Sequence, residues 1–189
     1  MYFETYRYGP GPYRAELSFY FPSSKASETI VLELAPLDEM PHTIHTLLNI
    51  LEKQLYNDGS FIMNRGHVLV AGPVDMHDTE NNRRLEKKMT NEGYYPDGAL
   101  LFTEYSENFP HLPNTLGFNP EQGGPVFYIN LVDNSIFHGP NDEKDGEPCF
   151  AKVVEGVDIL EKIRDMSTAD GWFGYPPVYM AQSRVLTEW

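Results

Sequence analysis

The sequence predicts a mainly β fold, an antiparallel barrel or sandwich with helices at its ends. Short β-rich runs recur along most of the chain with turn residues between them. Only two stretches carry a helical apolar period, and they lie far apart. The 15 Pro and 15 Gly, beside 12 Tyr and 11 Phe, fit many short strands and tight turns.

Taken in order, "YRAELSFYF" (13–21) and "ETIVLEL" (28–34) flank the polar turn Pro22 to Ser27, a hairpin pattern. "DEMPHTIHTLLNILEKQLYNDG" then places Ile44, Leu47, Leu48, Leu51 and Leu55 on one helical face. Pro41 suits its first turn, Asp38 or Glu39 its start, and Asn57-Asp58-Gly59 its stop. "SFIMNRGHVLVAGP" (60–73) reads as strand, polar island, strand. Residues 75–99 are the most polar of the chain and predict an exposed surface loop or excursion. "ALLFTEYS", "TLGFN", "GPVFYINLVDN" and "PCFAKVVEG" predict further short strands. "EGVDILEKIRDM" is the second amphipathic helix, with Val157, Leu160 and Ile163 or Ile159 inward, and "PVYMAQSRVLTEW" a last strand. The expected organisation is an N-terminal extension over 1–12 and a single domain over 13–189.

Composition narrows the function. With 41% hydrophobic and 22% charged residues the chain reads as a soluble globular protein. No apolar run approaches the ~20 residues of a membrane span. The N-terminus shows no basic segment followed by an apolar one, so no targeting segment is visible; one already removed would leave the compartment open. A net charge of −14 repels phosphate backbones and argues against nucleic acid as a partner. The lone Cys149 excludes an internal disulfide.

Four stretches resemble the cyclophilins, the peptidyl-prolyl isomerase family. "TIVLELAPLDEMPHTIHTLL" is similar to the family's second strand and first helix, and "GPVFYIN" to its Gly-Ser-Gln-Phe-Phe-Ile strand. "CFAKVVEGVDILEKI" resembles Phe-Gly-Lys-Val-x-x-Gly and the helix after it. "FIMNRGHVLVAGP" stands where the family has Phe-His-Arg and, later, Phe-Met-x-Gln-Gly-Gly, with the same spacing from Phe61 to Gly72. The resemblance implies a closed eight-stranded antiparallel β-barrel capped by two α-helices, and binding of proline-containing peptide or protein.

Isomerisation about an X-Pro bond must cross a resonance barrier of about 18–20 kcal/mol. It requires no cofactor, metal or nucleophile. It requires an apolar pocket for the ring and a donor near the prolyl nitrogen that favours the twisted state. The resemblance assigns that donor to an Arg, whose position here holds Met63. Ile62 stands at the His position and Ala71 at the Gln position. Val68 and Leu69 replace the pocket's Phe-Met pair, Tyr128 the second Phe of its strand and Val126 the Gln before it. Glu147 stands where a pocket His is usual, Phe118 lies in the segment matching Met-Ala-Asn, and Phe137 is the nearest aromatic to the tryptophan-bearing loop. The peptide-groove candidates are therefore Ile62, Met63, Val68, Leu69, Ala71, Phe118, Val126, Tyr128, Phe137 and Glu147. Arg65, two residues past Met63, is the substitute donor if a bulge re-aims it.

The remaining polar residues have plainer readings. His42 and His45 lack further ligands at metal spacing, so no metal site is expected. His67 and His138-Gly139-Pro140 read as turns, Cys149 as a core thiol, and Asp142, Glu143, Asp145 and Glu147 as a solvated loop. Gly123-Gly124 lacks the Lys-Ser/Thr of a phosphate loop. The leading expectation is a degenerate isomerase site on a peptide- or protein-binding or assembly module. The alternatives are an active isomerase using Arg65 or a remodelled groove, and a structural subunit of a larger complex. In the last case the aromatic N-terminus and Trp172-Phe173-Gly174-Tyr175 are the contact surfaces.

Overall fold

The computed structural model describes residues 11–94, 104–118, 126–140 and 146–186. The first hairpin forms as its alternation dictates. Strand β1 (Arg14–Phe21) pairs antiparallel with β2 (Ala26–Leu34), from Arg14↔Glu33 to Phe21↔Ala26. Every second residue of β1, from Ala15 through Leu17 and Phe19 to Phe21, is buried, and the others face outward. Six further strands follow: β3 (Ser60–Asn64), β4 (Val68–Gly72), β5 (Thr115–Phe118), β6 (Phe127–Asn130), β7 (Cys149–Glu155) and β8 (Tyr179–Leu186). All pairings are antiparallel, and the sheet closes in the order β1-β2-β7-β5-β6-β4-β3-β8. The fold is thus the mainly β, closed eight-stranded barrel that the resemblance implies. Its interior is packed with rings, including Phe118 on Phe150 (centroids 4.2 Å apart) and Phe61 between Phe19 (5.3 Å) and Phe173 (5.7 Å).

Among the described residues four helices, rather than two, accompany the barrel: α1 (Pro41–Glu52), α2 (Thr79–Asn91), α3 (Ser135–His138) and α4 (Val157–Asp165). Helix α1 buries Ile44, Leu47, Leu48 and Leu51 as its period predicts, with Pro41 in the first turn. It ends at Glu52, ahead of the expected stop, and Leu55 is buried beyond it. Neither Asp38 nor Glu39 caps it. The carboxylate of Glu104 accepts the backbone N–H groups of His42 (3.1 Å) and Thr43 (2.7 Å) instead. In α4, Ile159, Leu160 and Ile163 are buried, but Val157, at the first helical position, is 37% exposed.

The polar stretch expected as an exposed loop contains α2. Asp78 caps this helix, accepting from the backbone of Glu80 (2.9 Å) and Asn81 (3.0 Å). Leu85 and Met89, one turn apart, are fully buried. The apolar stripe is only those residues wide, too narrow to register as a period. Residues 95–99, at the end of that stretch, lie outside the described residues. Two other expectations shift. Of "GPVFYINLVDN", residues 126–134 are described and are strand only over Phe127–Asn130, with Asn134 leading into α3. Of "ALLFTEYS", Glu104–Ser106 are described and carry no strand. Among the described residues no helix is long and apolar enough to cross a membrane. No group of three or more His, Cys, Asp or Glu among them is placed to hold a metal ion.

Candidate functional site

The hairpin of β3 and β4 resolves the polar island as a turn. Arg65 N–H donates to the Val68 carbonyl at 2.9 Å. Asn64 Oδ1 accepts from Gly66 N–H at 2.8 Å, and Gly66 takes φ +79°, a left-handed conformation that glycine adopts at no steric cost. Arg65, Gly66 and His67 are exposed. A bulge falls between Phe61 and Met63, so the register runs Phe61↔Ala71, then Met63↔Val70 and Asn64↔Leu69. Beyond it, the free side of β3 is sealed by the segment after α4: Asn64 N–H donates to Gly171 O at 2.7 Å, and Met63 bridges Trp172.

The register sorts side chains onto two faces. Phe61, Ala71, Phe127 and Phe118 are consecutive cross-strand partners and belong to the core. Met63, Val70, Tyr128 and Gly117 form the adjacent row, which faces away from the core. Leu69, Ala71 and Phe118 are therefore core residues, a correction to their expected place in a groove. Ile62 sits at the bulge, half-buried, and Met63 is half-buried in the outer row. Val68 is buried; so is Val126, against which a Cβ at Gly72 would lie 3.0 Å away. Phe137 is 69% exposed on α3. Arg65 and Met63 line one open depression of about 690 Å³ with residues 167–172. Phe173, expected as part of a contact surface, is a core residue, whereas Trp172 and Tyr175 are exposed.

Of the candidates, Tyr128 and Glu147 are brought into direct contact. Tyr128 O–H donates to Glu147 Oε2 at 2.7 Å, and His138 Nδ1 lies 2.9 Å from the same oxygen. Burial above all, then the Glu147 charge and its acceptance of this bond, pushes the Tyr128 phenol far above its ordinary range. Tyr128 is thus a fixed neutral donor, not a base. One face of its ring is stacked by the His138 imidazole, with centroids 4.6 Å apart and planes 24° apart. At Gly117 a Cβ would come within 2.5 Å of the Tyr128 hydroxyl, so the ring lies against bare backbone there.

Around Tyr128 a buried polar network extends, with Asn134 Oδ1 left without a partner among the described residues. Asn130 Nδ2 donates to Thr115 Oγ1 at 3.0 Å, and Asn134 Nδ2 to Asn130 Oδ1 at 2.8 Å. His111, fully buried, lies with Nε2 3.0 Å from the Glu147 carbonyl and Nδ1 3.4 Å from the Tyr128 hydroxyl. Cys149, the partner of Gly117 on β7, is also buried, and burial pushes its thiol up to about 12. Sequence reading missed His111, Asn130 and Asn134, placed Gly117 only within the segment matching Met-Ala-Asn, and took His138 for a turn. Alternation in "TLGF" and "FYIN" was the available signal, since it puts Thr115, Gly117, Tyr128 and Asn130 on one face.

Chemically, this face gathers a buried aromatic ring, a carboxylate bonded to its hydroxyl and two histidines packed against it. Met63, Val70, Tyr128 and Gly117 include no guanidinium, so the row itself presents no cationic donor.

The comparisons agree with this architecture. The sequence model of the family described as cyclophilin type peptidyl-prolyl cis-trans isomerase/CLD matches residues 21–185. The chain is 25% identical over 139 residues to peptidyl-prolyl cis-trans isomerase B of Escherichia coli (strain K12), covering 69% of this chain and 76% of that protein. It is 28% identical over 75 residues to a peptidyl-prolyl cis-trans isomerase of Acinetobacter baylyi (strain ATCC 33305 / BD413 / ADP1), covering 38% of this chain and 39% of that one. With the family match spanning most of its length and the barrel closed in antiparallel order, this chain belongs to the cyclophilin-type peptidyl-prolyl cis-trans isomerase family.

Proposed function

We propose that this chain is a cyclophilin-type domain that binds protein or proline-containing peptide segments, or helps assemble them, with little or no isomerase activity. The observation that carries this reading is Met63 in the outer row, two strands from Tyr128, at the position the family resemblance gives to the catalytic Arg. A thioether offers no donor to a prolyl nitrogen. A hydrogen bond from a charged donor contributes about 1.5–3 kcal/mol, so its loss from the transition state slows the step by roughly one to two decades. Ala71, at the Gln position, lies in the core and offers a peptide nothing.

A protease-coupled assay on a proline tetrapeptide tests the proposal, with no turnover above background expected. A second reading, an active isomerase, draws on Arg65, which lines the same depression as Met63. Turnover that disappears in Arg65→Ala would establish that reading and end the first.

A further inference from the structure

We infer that the His138 imidazole occupies, from within the chain, the slot over Tyr128 in which a ligand's proline ring would pack, so that His138 decides whether the site is open. The inference rests on the proposed reading of the outer face as a peptide groove.

The slot is defined by its walls. Its floor is the Tyr128 ring, which is held in place by two contacts: Gly117, where any side chain would collide with the ring, and Glu147, which anchors the hydroxyl. A flat apolar platform of this kind binds a five-membered ring face to face, and an imidazole and a pyrrolidine have nearly the same size. The ring found there is His138, 4.6 Å away and near parallel.

His138 is firmly delivered but weakly held at its tip. Its backbone is clamped on both sides, N–H to the Asn134 carbonyl at 2.9 Å and carbonyl to the Glu147 N–H at 2.8 Å. Gly139, next in the chain, packs so closely that a Cβ would come within 2.3 Å of the Ser135 carbonyl. The imidazole is different. Among the described residues neither ring nitrogen makes a well-directed hydrogen bond, although Nδ1 lies 2.9 Å from Glu147 Oε2. His138 is only half-buried, yet both its ring nitrogens are shielded from water without a directed bond. That makes the imidazole a costly occupant, and a ligand ring that needs no such bond competes with it on favourable terms.

The experiment titrates wild-type protein, His138→Ala and His138→Leu with a proline tetrapeptide and, separately, with imidazole. Heteronuclear NMR shifts and calorimetry supply the readout, and no catalysis is needed. His138→Ala should bind the peptide at least roughly tenfold more tightly than wild type, a difference of about 1.4 kcal/mol. Imidazole should displace the peptide from His138→Ala. His138→Leu, which refills the slot, should bind as weakly as wild type; His138→Ser serves in place of the alanine variant if that one does not fold. Equal peptide affinity in wild type and His138→Ala overturns the inference. Imidazole binding by His138→Ala without any peptide binding also overturns it, and locates the fault in the peptide-groove reading. Isomerase turnover by wild type, in contrast, defeats the low-activity proposal alone.

Discussion

Gly117 and Tyr128 are register partners on β5 and β6, and a Cβ on the first would lie 2.5 Å from the hydroxyl of the second. Gly117→Ala must therefore move a buried ring that is fixed at its far end by Glu147. The expected cost is about 1–3 kcal/mol, the usual range for overpacking. In urea unfolding, Gly117→Ala/Tyr128→Ala should be more stable than the sum of the single effects, because the clash is gone. Strict additivity would mean that the two residues do not compete for this space.

Met63→Arg restores a donor at the position the family resemblance gives to the catalytic Arg. With His138 in place the donor has little bound substrate to act on, so its gain in the protease-coupled assay should be small. In Met63→Arg/His138→Ala the expected gain is roughly one to two decades, the equivalent of one charged hydrogen bond. The absence of any gain in the double variant, with its fold intact, would show that the groove lacks more than a donor and an opening.

Helix α2 predicts a stability effect that an exposed loop would not have. Leu85→Ala and Met89→Ala remove fully buried side chains and should each cost about 2–5 kcal/mol. Asp78→Ala removes the cap and should cost about 0.5–2 kcal/mol. Chemical denaturation measures all three, and neutral values would argue that the segment is held no better than a surface loop.

Cys149 sets part of the alkaline limit. An unfolded cysteine ionises near ~8.5, whereas burial holds the Cys149 thiol protonated up to about 12. In that window the unfolded state has released a proton that the folded state retains. Stability is whole below the window and falls as pH rises through it, by up to about 1.4 kcal/mol per pH unit. Cys149→Ala should flatten this descent in urea titrations from pH about 8 to about 10. The raised Tyr128 phenol works in the same direction but begins only near the ordinary tyrosine value of ~10. An unchanged slope in Cys149→Ala would show that the thiol contributes nothing to it.

The barrel was legible because alternation and helical period are local signals. β1, β2 and α1 follow from residues within one turn or one strand of each other. The departures have identifiable causes. The Glu104 carboxylate that caps α1 lies 62 residues from His42, where no cap pattern reaches. Residue spacing between Phe61 and Gly72 fits a plain hairpin, yet a bulge at Ile62 changes which residues oppose each other, and a count cannot detect that. The site itself comes from separate places, with Tyr128 on β6, His138 on α3 and Glu147 just before β7, so its assembly is a tertiary fact. His111 gave no signal at all, being a lone histidine in a loop.

The two rows of the barrel wall separate the side chains that fill the core from those that face away from it. Phe61, Ala71, Phe127 and Phe118 point one way and secure closure of the barrel. Met63, Val70, Tyr128 and Gly117 point the other way, onto the face proposed as the groove. Because neighbours along a strand alternate between these faces, a half-buried outer residue such as Met63 can be replaced while the inner row is left intact. A lineage can thus discard or replace a reaction without ever passing through an unfolded ancestor, and kinship read from the inner face records the vessel, not its contents.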